Sequence, residues 1–321
     1  MTKPTAATSL PAPIVARWQD YVRLLKPRVM SLVVFTAFTG LMCARATVNP
    51  VLAAVAVLCI AVGAGGSAAL NMAYDADIDL LMRRTRGRPV PSGAVQAADA
   101  LALGITLSLF SVGLMGLALN WLAAGLLGFT IIFYALVYTV WLKRRTPQNI
   151  VIGGLAGALP PAVGWAAASG TAPSNAWLLV AIIFLWTPPH FWALSLYTSA
   201  DYAKAGVPMM PVVRGAASTR RQILAYSVVL ALAAIAPAFT GLGGPLYLAI
   251  AAVGGAGFVG LAIRLARSRA GDAAPRHDGL YDVKAAARPA RDLFAFSILY
   301  LFSLFAALLG ERLAAMGGLA L

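Results

Sequence analysis

Runs of about 20 apolar residues recur along the chain with short polar breaks between them, and that is the length a helix needs to cross a bilayer. Nine such segments are predicted: 29–45, 51–72, 98–118, 121–141, 150–168, 176–198, 222–242, 246–264 and 292–310. The connections 119–120 and 243–245 are so short that their flanking helices must form antiparallel hairpins. Pro160, Pro161, Pro188 and Pro189 are expected to kink or break spans five and six, since proline removes a helix hydrogen bond. Small residues in VGAGGSAA (62–69) and GGLAGALPP (153–161) mark places where spans pack closely.

Charge then orients these spans. Of 25 Lys and Arg, 23 fall before the first span or in every second connection: 83–88, 143–145, 204–221 and 264–291. Only Arg45 and Arg312 lie on the other side. Under the positive-inside rule the N-terminus is cytoplasmic, the C-terminus is outside, and the number of spans is odd. Nine spans fit that independent argument. Two mixed loops, 73–97 and 199–221, each follow an even-numbered span, which hints at two four-helix halves plus a ninth helix. A third loop, 265–291, is basic.

Composition places the chain in one class. It is 60% hydrophobic and only 11% charged among 321 residues, with a mean hydropathy of +0.81. That describes an all-α polytopic membrane protein and not a soluble domain. The net charge of +14 therefore reports topology, and no nucleic-acid partner is expected. Cys43 and Cys59 lie in apolar runs and read as packed hydrophobes. Residues 1–20 read as a disordered lead without a signal or transit peptide. Residues 21–312 read as one nine-helix domain, and 313–321 as a tail.

One stretch does not belong to a membrane helix: NMAYDADIDLLMRRTRGRP, residues 71–89. If the second span continues past Leu70, Asn71, Asp75 and Asp79 lie four apart on one face, within about 80° of one another, and Asp77 points away. Like charges four apart repel, so the fold must supply a cation. Hard oxygen donors suit Mg²⁺ or Mn²⁺. Arg83, Arg84, Arg86 and Arg88 could then meet the remaining charge of a phosphate.

The second mixed loop runs FLWTPPHFWALSLYTSADYAKAGVPMMPVVRG, residues 184–215. If the sixth helix runs on, His190, Leu194, Tyr197 and Asp201 share a face, with His190 about 16 Å deeper than Asp201. An ionisable group at that depth is a candidate functional residue. The aromatics Trp186, Phe191, Trp192 and Tyr197 surround it in sequence. His277 sits in the basic loop with no assigned role. In LKRRTPQN (142–149), Lys143, Arg144 and Arg145 follow from topology, and one of them could reach a bound phosphate.

Asn71-x-x-x-Asp75-x-x-x-Asp79, followed by Met82-x-Arg84-Thr85-x-x-Arg88-Pro89, resembles the first motif of the UbiA-type intramembrane prenyltransferases. KPRVMSLVVFTAFTG (26–40), LKRRTPQNIVIGGLAGALPPAVGWAA (142–167), WTPPHFWAL (186–194) and DYAKAGVPMMPVV (201–213) are similar to the protoheme IX farnesyltransferases, or haem O synthases, within them. The resemblance implies nine transmembrane helices around a central cavity open to the cytoplasmic side. It implies transfer of farnesyl from farnesyl diphosphate to a vinyl group of haem B, with haem B as substrate and Mg²⁺ as cofactor. It carries Asn71, Asp75, Asp79 and Asp201 over as metal-diphosphate residues. Arg28, Arg84, Arg88, Lys143 and Lys204 are the diphosphate-binding candidates, and His190, Trp192 and Tyr197 the acceptor-side ones. Where many superfamily members have two aspartates in the second motif, this chain has Tyr197-x-x-x-Asp201, a thinner second metal shell. The implied partners are the lipid bilayer and a haem A synthase or terminal-oxidase assembly proteins. The implied location is the cell (inner) membrane, ahead of a mitochondrial one. Rival readings are a related prenyltransferase with another acceptor (an aromatic acid, quinone precursor or chlorin), a transporter, and a non-catalytic haem-assembly factor.

Overall fold

A computed structural model describes residues 16–272 and 285–318. The expected lead before residue 16, most of the basic loop including His277, and the last three residues of the tail lie outside the described residues. Those described are helical, with no strand among them.

The helices in chain order are α1 (Trp18–Leu24), α2 (Pro27–Cys43), α3 (Pro50–Tyr74), α4 (Ala76–Leu81), α5 (Ala97–Ala118) and α6 (Trp121–Ile132). The last of these continues as a π-helix over Phe133–Leu142. There follow α7 (Asn149–Ala158), α8 (Pro160–Ser169), α9 (Ser174–Tyr197), α10 (Ser199–Lys204), α11 (Met210–Val213), α12 (Ala216–Phe239), α13 (Pro245–Ala266) and α14 (Arg288–Met316). Eight helices are long and apolar enough to cross a membrane, and nine if α1 and α2, bent by 50° at Leu25–Lys26, form one span. The nine expected segments are thus recovered, with shifted ends. The seventh begins at Ala216, inside the stretch expected as loop. Helix α1 starts at Trp18 and α14 ends at Met316.

The helix starts follow local chemistry. The Asn49 side chain accepts from Val51 N at 2.8 Å, with Pro50 in the first turn of α3, and Asn120 accepts from Ala123 N at 2.9 Å to start α6. Both satisfy amides that a helix leaves open. The prolines behave in two ways. Pro160 opens α8 after a break at Leu159, as expected. Pro188 and Pro189, by contrast, sit inside a continuous α9: of the kink or break expected in span six, the break is corrected. Helix α9 is packed against α7, α12 and α14, and enclosure by neighbouring helices lets a membrane helix tolerate proline.

Packing closes the chain on itself. Helix α14 returns to α2, where Phe35 and Phe302 stack with centroids 4.9 Å apart. Helices α2 and α8 meet backbone to backbone. A Cβ on Gly40 would strike the Pro161 carbonyl, and one on Gly164 would strike the Ala37 carbonyl. Small residues permit such close crossing.

The end of the bundle opposite the aspartates is tied together by Glu311 and by the two arginines expected on that side. Glu311, the sole glutamate, accepts from Gly244 N at 2.6 Å and Tyr247 N at 2.9 Å. It caps α13 from α14 and meets the positive end of the helix dipole. Arg45 donates to Gly241 O at 2.6 Å and Arg312 to Met42 O at 3.0 Å. Glu311→Ala is expected to lower stability by about 1–2 kcal/mol, the worth of a lost cap with a charge at a helix end. Thermal unfolding of the detergent-solubilised protein measures this, and an unchanged midpoint would refute the cap.

Candidate active site

Helix α3 stops at Tyr74, and Asp75 takes φ −88° and ψ 9° before α4 begins. The i, i+4 register nonetheless survives the break. Asp75 N donates to Asn71 O at 3.0 Å, and Asp79 N donates to Asp75 O at 2.8 Å. The three stripe residues therefore turn inward together. Asn71, Asp75 and Asp79 keep 4%, 0% and 2% of their surface exposed, whereas the Asp77 side chain keeps 63%. The division of the acids into a buried face and one outsider is as the spacing predicts.

Cations close over this face. Lys143 pairs with Asp75 Oδ2, and Arg88 Nη1 donates to Asp79 Oδ2 at 2.6 Å. Lys26 Nζ donates to Asn71 Oδ1 at 2.8 Å. The Asn71 amide in turn donates to Asp75 Oδ2 at 2.6 Å and to Thr139 Oγ1 at 3.1 Å. Lys26 holds this position from a left-handed backbone conformation, φ 51° and ψ 56°, which is uncommon for a non-glycine residue and is retained where surroundings over-determine it. Outside the cluster, two Arg144 hydrogen bonds of 2.7 Å hold the Asp77 carboxyl below the usual carboxylate range, and Asp77 raises the Arg144 guanidinium in return.

Residues of the fourth span reach the stripe from the π-helical segment and its end. In an α-helix, residues five apart diverge by about 140° around the axis. With i→i+5 closure the fifth residue returns close to its predecessor's face. Lys143 N donates to Tyr138 O at 2.9 Å, and Thr139 Oγ1 donates to Tyr134 O at 2.8 Å, both five residues back. Thr139 and Lys143, four residues apart, both contact the acid cluster from this segment. Tyr134 and Tyr138 stack at 5.5 Å. The Tyr138 ring fills the space where a Cβ on Gly153 would sit.

Other expected residues are distributed differently. Arg28, Arg84 and Lys204 are exposed, and Asp201 is half-buried on α10. Helix α9 ends at Tyr197 with a break at Thr198, so the continuous His190–Asp201 face expected from the spacing is corrected: only its first three members share a helix. Among the described residues, no three Asp, Glu, His or Cys are grouped as a metal cluster. Trp192 is fully buried with its ring edge-on to Tyr226 at 5.6 Å, which turns it toward α12. Tyr197 is buried edge-on to Phe294.

His190 is the centre of a second arrangement. Its ring lies between Trp186 (centroids 4.1 Å apart) and Phe294 (4.6 Å), nearly parallel to both. Its Nδ1 is 2.6 Å from Ser297 Oγ on α14. The Trp186 indole donates to Ser297 O at 2.7 Å. Sequence reasoning missed Lys26, Thr139, Phe294 and Ser297 as site residues. Lys26 carried a signal, as a cation beside Pro27 at the start of an apolar run. The others are ordinary residues of membrane helices and carried none.

The first cluster fits a divalent cation with diphosphate. Asp75 Oδ1 is buried and accepts no hydrogen bond; the nearest cation on that side, Arg144 Nη2, is 3.7 Å away. A buried carboxylate oxygen without a partner is costly unless something fills the gap. Asn71, Asp75 and Asp79 are hard oxygen donors, and Mg²⁺ is commonly held by one or two carboxylates plus substrate phosphates.

The chain is similar to known proteins over most of its length. The model of the UbiA prenyltransferase family matches residues 33–278. A protoheme IX farnesyltransferase of Caulobacter vibrioides is 69% identical over 92% of this chain and 91% of its own length. One of Maricaulis maris is 60% identical over 92% and 89%. A solved UbiA homolog from Archaeoglobus fulgidus, bound to GPP and Mg²⁺, superposes with a TM-score of 0.62 at 17% identity, over 90% of this chain and 99% of that one.

Proposed function

The chain belongs to the UbiA prenyltransferase family, among its protoheme IX farnesyltransferases, and from that premise we propose that it joins the farnesyl group of farnesyl diphosphate to a vinyl group of haem B, giving haem O. The observation that carries the assignment of the site is the buried Asn71–Asp75–Asp79 face ringed by Lys26, Arg88 and Lys143.

The first step breaks the bond between farnesyl C1 and the diphosphate oxygen, and diphosphate leaves with the electron pair. Asn71, Asp75 and Asp79 would hold Mg²⁺, which when bound neutralises charge developing on the diphosphate. Lys143 and Arg88 already face these acids and can turn to the phosphate oxygens, as can Lys26. Arg84, Arg28 and Lys204 are exposed at the same end and can draw the anion in. Asp201 on α10 would approach from the other loop.

The allylic cation left behind needs a site without bulk water, and the aromatic faces of Tyr134 and Tyr138 suit it by cation–π attraction. The haem vinyl π electrons form the new C–C bond to C1. Water then adds to the carbocation beside the porphyrin ring and loses a proton, leaving the hydroxyethylfarnesyl group. We place His190 and Tyr197 on the haem side of the site. The N-terminus faces the cytoplasm, so diphosphate leaves to water. Haem O passes within the membrane to a haem A synthase or to terminal-oxidase assembly. Purified protein incubated with haem B, farnesyl diphosphate and Mg²⁺ is expected to yield a product of haem O mass. If haem B is recovered unchanged while another acceptor is prenylated, the assignment of acceptor is wrong.

A further inference from the structure

The Ser297 hydroxyl sits between two partners and has one proton to give. Ser297 Oγ lies 2.6 Å from the Phe294 carbonyl and 2.6 Å from His190 Nδ1. A carbonyl oxygen cannot donate, so the serine proton goes to Phe294 O; otherwise two oxygens would face each other at that distance with no hydrogen between them. The Ser297 lone pair then faces His190, and Nδ1 must carry the proton. The imidazole is therefore fixed as the Nδ1–H tautomer, with its lone pair on Nε2.

The ring has little freedom to do anything else. Trp186 covers one face and Phe294 the other, and the Phe191 ring stands edge-on at 5.2 Å. Ser297 itself is held by the indole of Trp186 through its carbonyl and has no surface exposed. No hydrogen bond to Nε2 is formed among the described residues, and His190 retains 8% of its surface. Histidines that bind metals commonly donate their other ring N–H to an oxygen, which fixes the tautomer and raises ligand basicity. His190 also lies seven residues, about 10 Å, below the end of α9, beneath the level of the acids' loop.

We propose that Ser297 is a positioning residue that fixes His190 with Nε2 presented as a neutral ligand to the iron of the haem substrate. This rests on the haem-farnesylating reading above. Ligation would hold the porphyrin at one point and leave its vinyl edge free to meet the farnesyl carbon.

The test uses full-length protein in lipid nanodiscs titrated with haem B, followed by absorption and by resonance Raman of the ferrous complex. The wild type is expected to show an iron–histidine stretch that His190→Ala abolishes and added imidazole restores. Ser297→Ala is expected to weaken haem binding on the order of tenfold and to lower the frequency of that stretch, because the imidazole loses its hydrogen-bond acceptor. Ser297→Thr, which keeps the hydroxyl, should restore both, and Ser297→Cys should fall between if the alanine variant does not fold. Wild-type affinity and frequency in Ser297→Ala or Ser297→Cys would overturn the proposal, as would a haem spectrum that His190→Ala leaves unchanged. Haem O formation is measured by mass in the same preparations. Its presence without His190 ligation defeats this inference alone, and its absence from a histidine-ligated wild type defeats the functional reading alone.

Discussion

Asp75→Ala and Asp79→Ala are each expected to abolish haem O formation, while Asp77→Ala stays within about fivefold of wild type. The three aspartates lie within five residues of one another, so a sequence-wide effect of lost negative charge would strike them equally. Burial separates them. Asp75 and Asp79 keep 0% and 2% of their surface exposed, and each substitution removes a hard oxygen donor from the face proposed to hold the metal and diphosphate. Asp77 forms an exposed pair with Arg144, and such pairs are worth about 0–1 kcal/mol, or up to roughly fivefold in an equilibrium. Removing one member of a buried pair also destabilises by about 3–5 kcal/mol. Asp75→Asn and Asp79→Asn, which keep shape, therefore accompany the alanine variants, and size-exclusion profiles report folding. Loss of activity in folded asparagine variants is the expected outcome. Comparable losses at all three alanine variants would defeat the one-face argument.

Lys143→Met is expected to lower kcat by about 10²-fold, the scale of removing one preorganised donor from developing negative charge, with the KM for haem B unchanged. The reasoning is electrostatic. Lys143 is 15% exposed and pairs with Asp75; when diphosphate arrives, the ammonium need only turn from that carboxylate to the phosphate oxygen it would neutralise. Lys143→Arg keeps the charge on a larger, planar head and is expected to recover part of the rate. A fall of less than tenfold in Lys143→Met, measured by single-turnover formation of haem O, would show that Arg88 and Lys26 suffice.

Much of this was legible in the chain because membranes impose coarse rules. Length and apolarity located nine segments, and the basic residues in alternate connections agreed with an odd number of them. The acid stripe was legible because a four-residue spacing survives a helix break so long as the Asn71–Asp75–Asp79 backbone hydrogen bonds persist. The same logic failed on the sixth span. Its spacing ran on to Asp201, but the helix stops at Tyr197, and Pro188–Pro189, expected to kink or break it, leave it continuous. Packing by neighbours lets α9 keep its prolines, and packing is not written in any one segment. Ser297 was invisible for a related reason: a serine in an apolar helix looks like any other until a histidine 107 residues earlier in the chain is brought against it.

The π-helix makes the fourth span sensitive to counting. Its contribution to the site depends on how many residues separate the Asn120 cap from Lys143, because widened turns convert chain length into rotation. Shortened by one residue, the 22-residue span would still meet the roughly 20 needed to cross a bilayer, and its hydropathy would hardly change. Yet Lys143 would swing away from Asp75 by about a quarter of a turn, near the 100° that one residue adds in an α-helix. A substitution here alters one side chain; a single-codon deletion would re-aim every side chain that follows it in the span. For this helix the stringent variable is length, not composition.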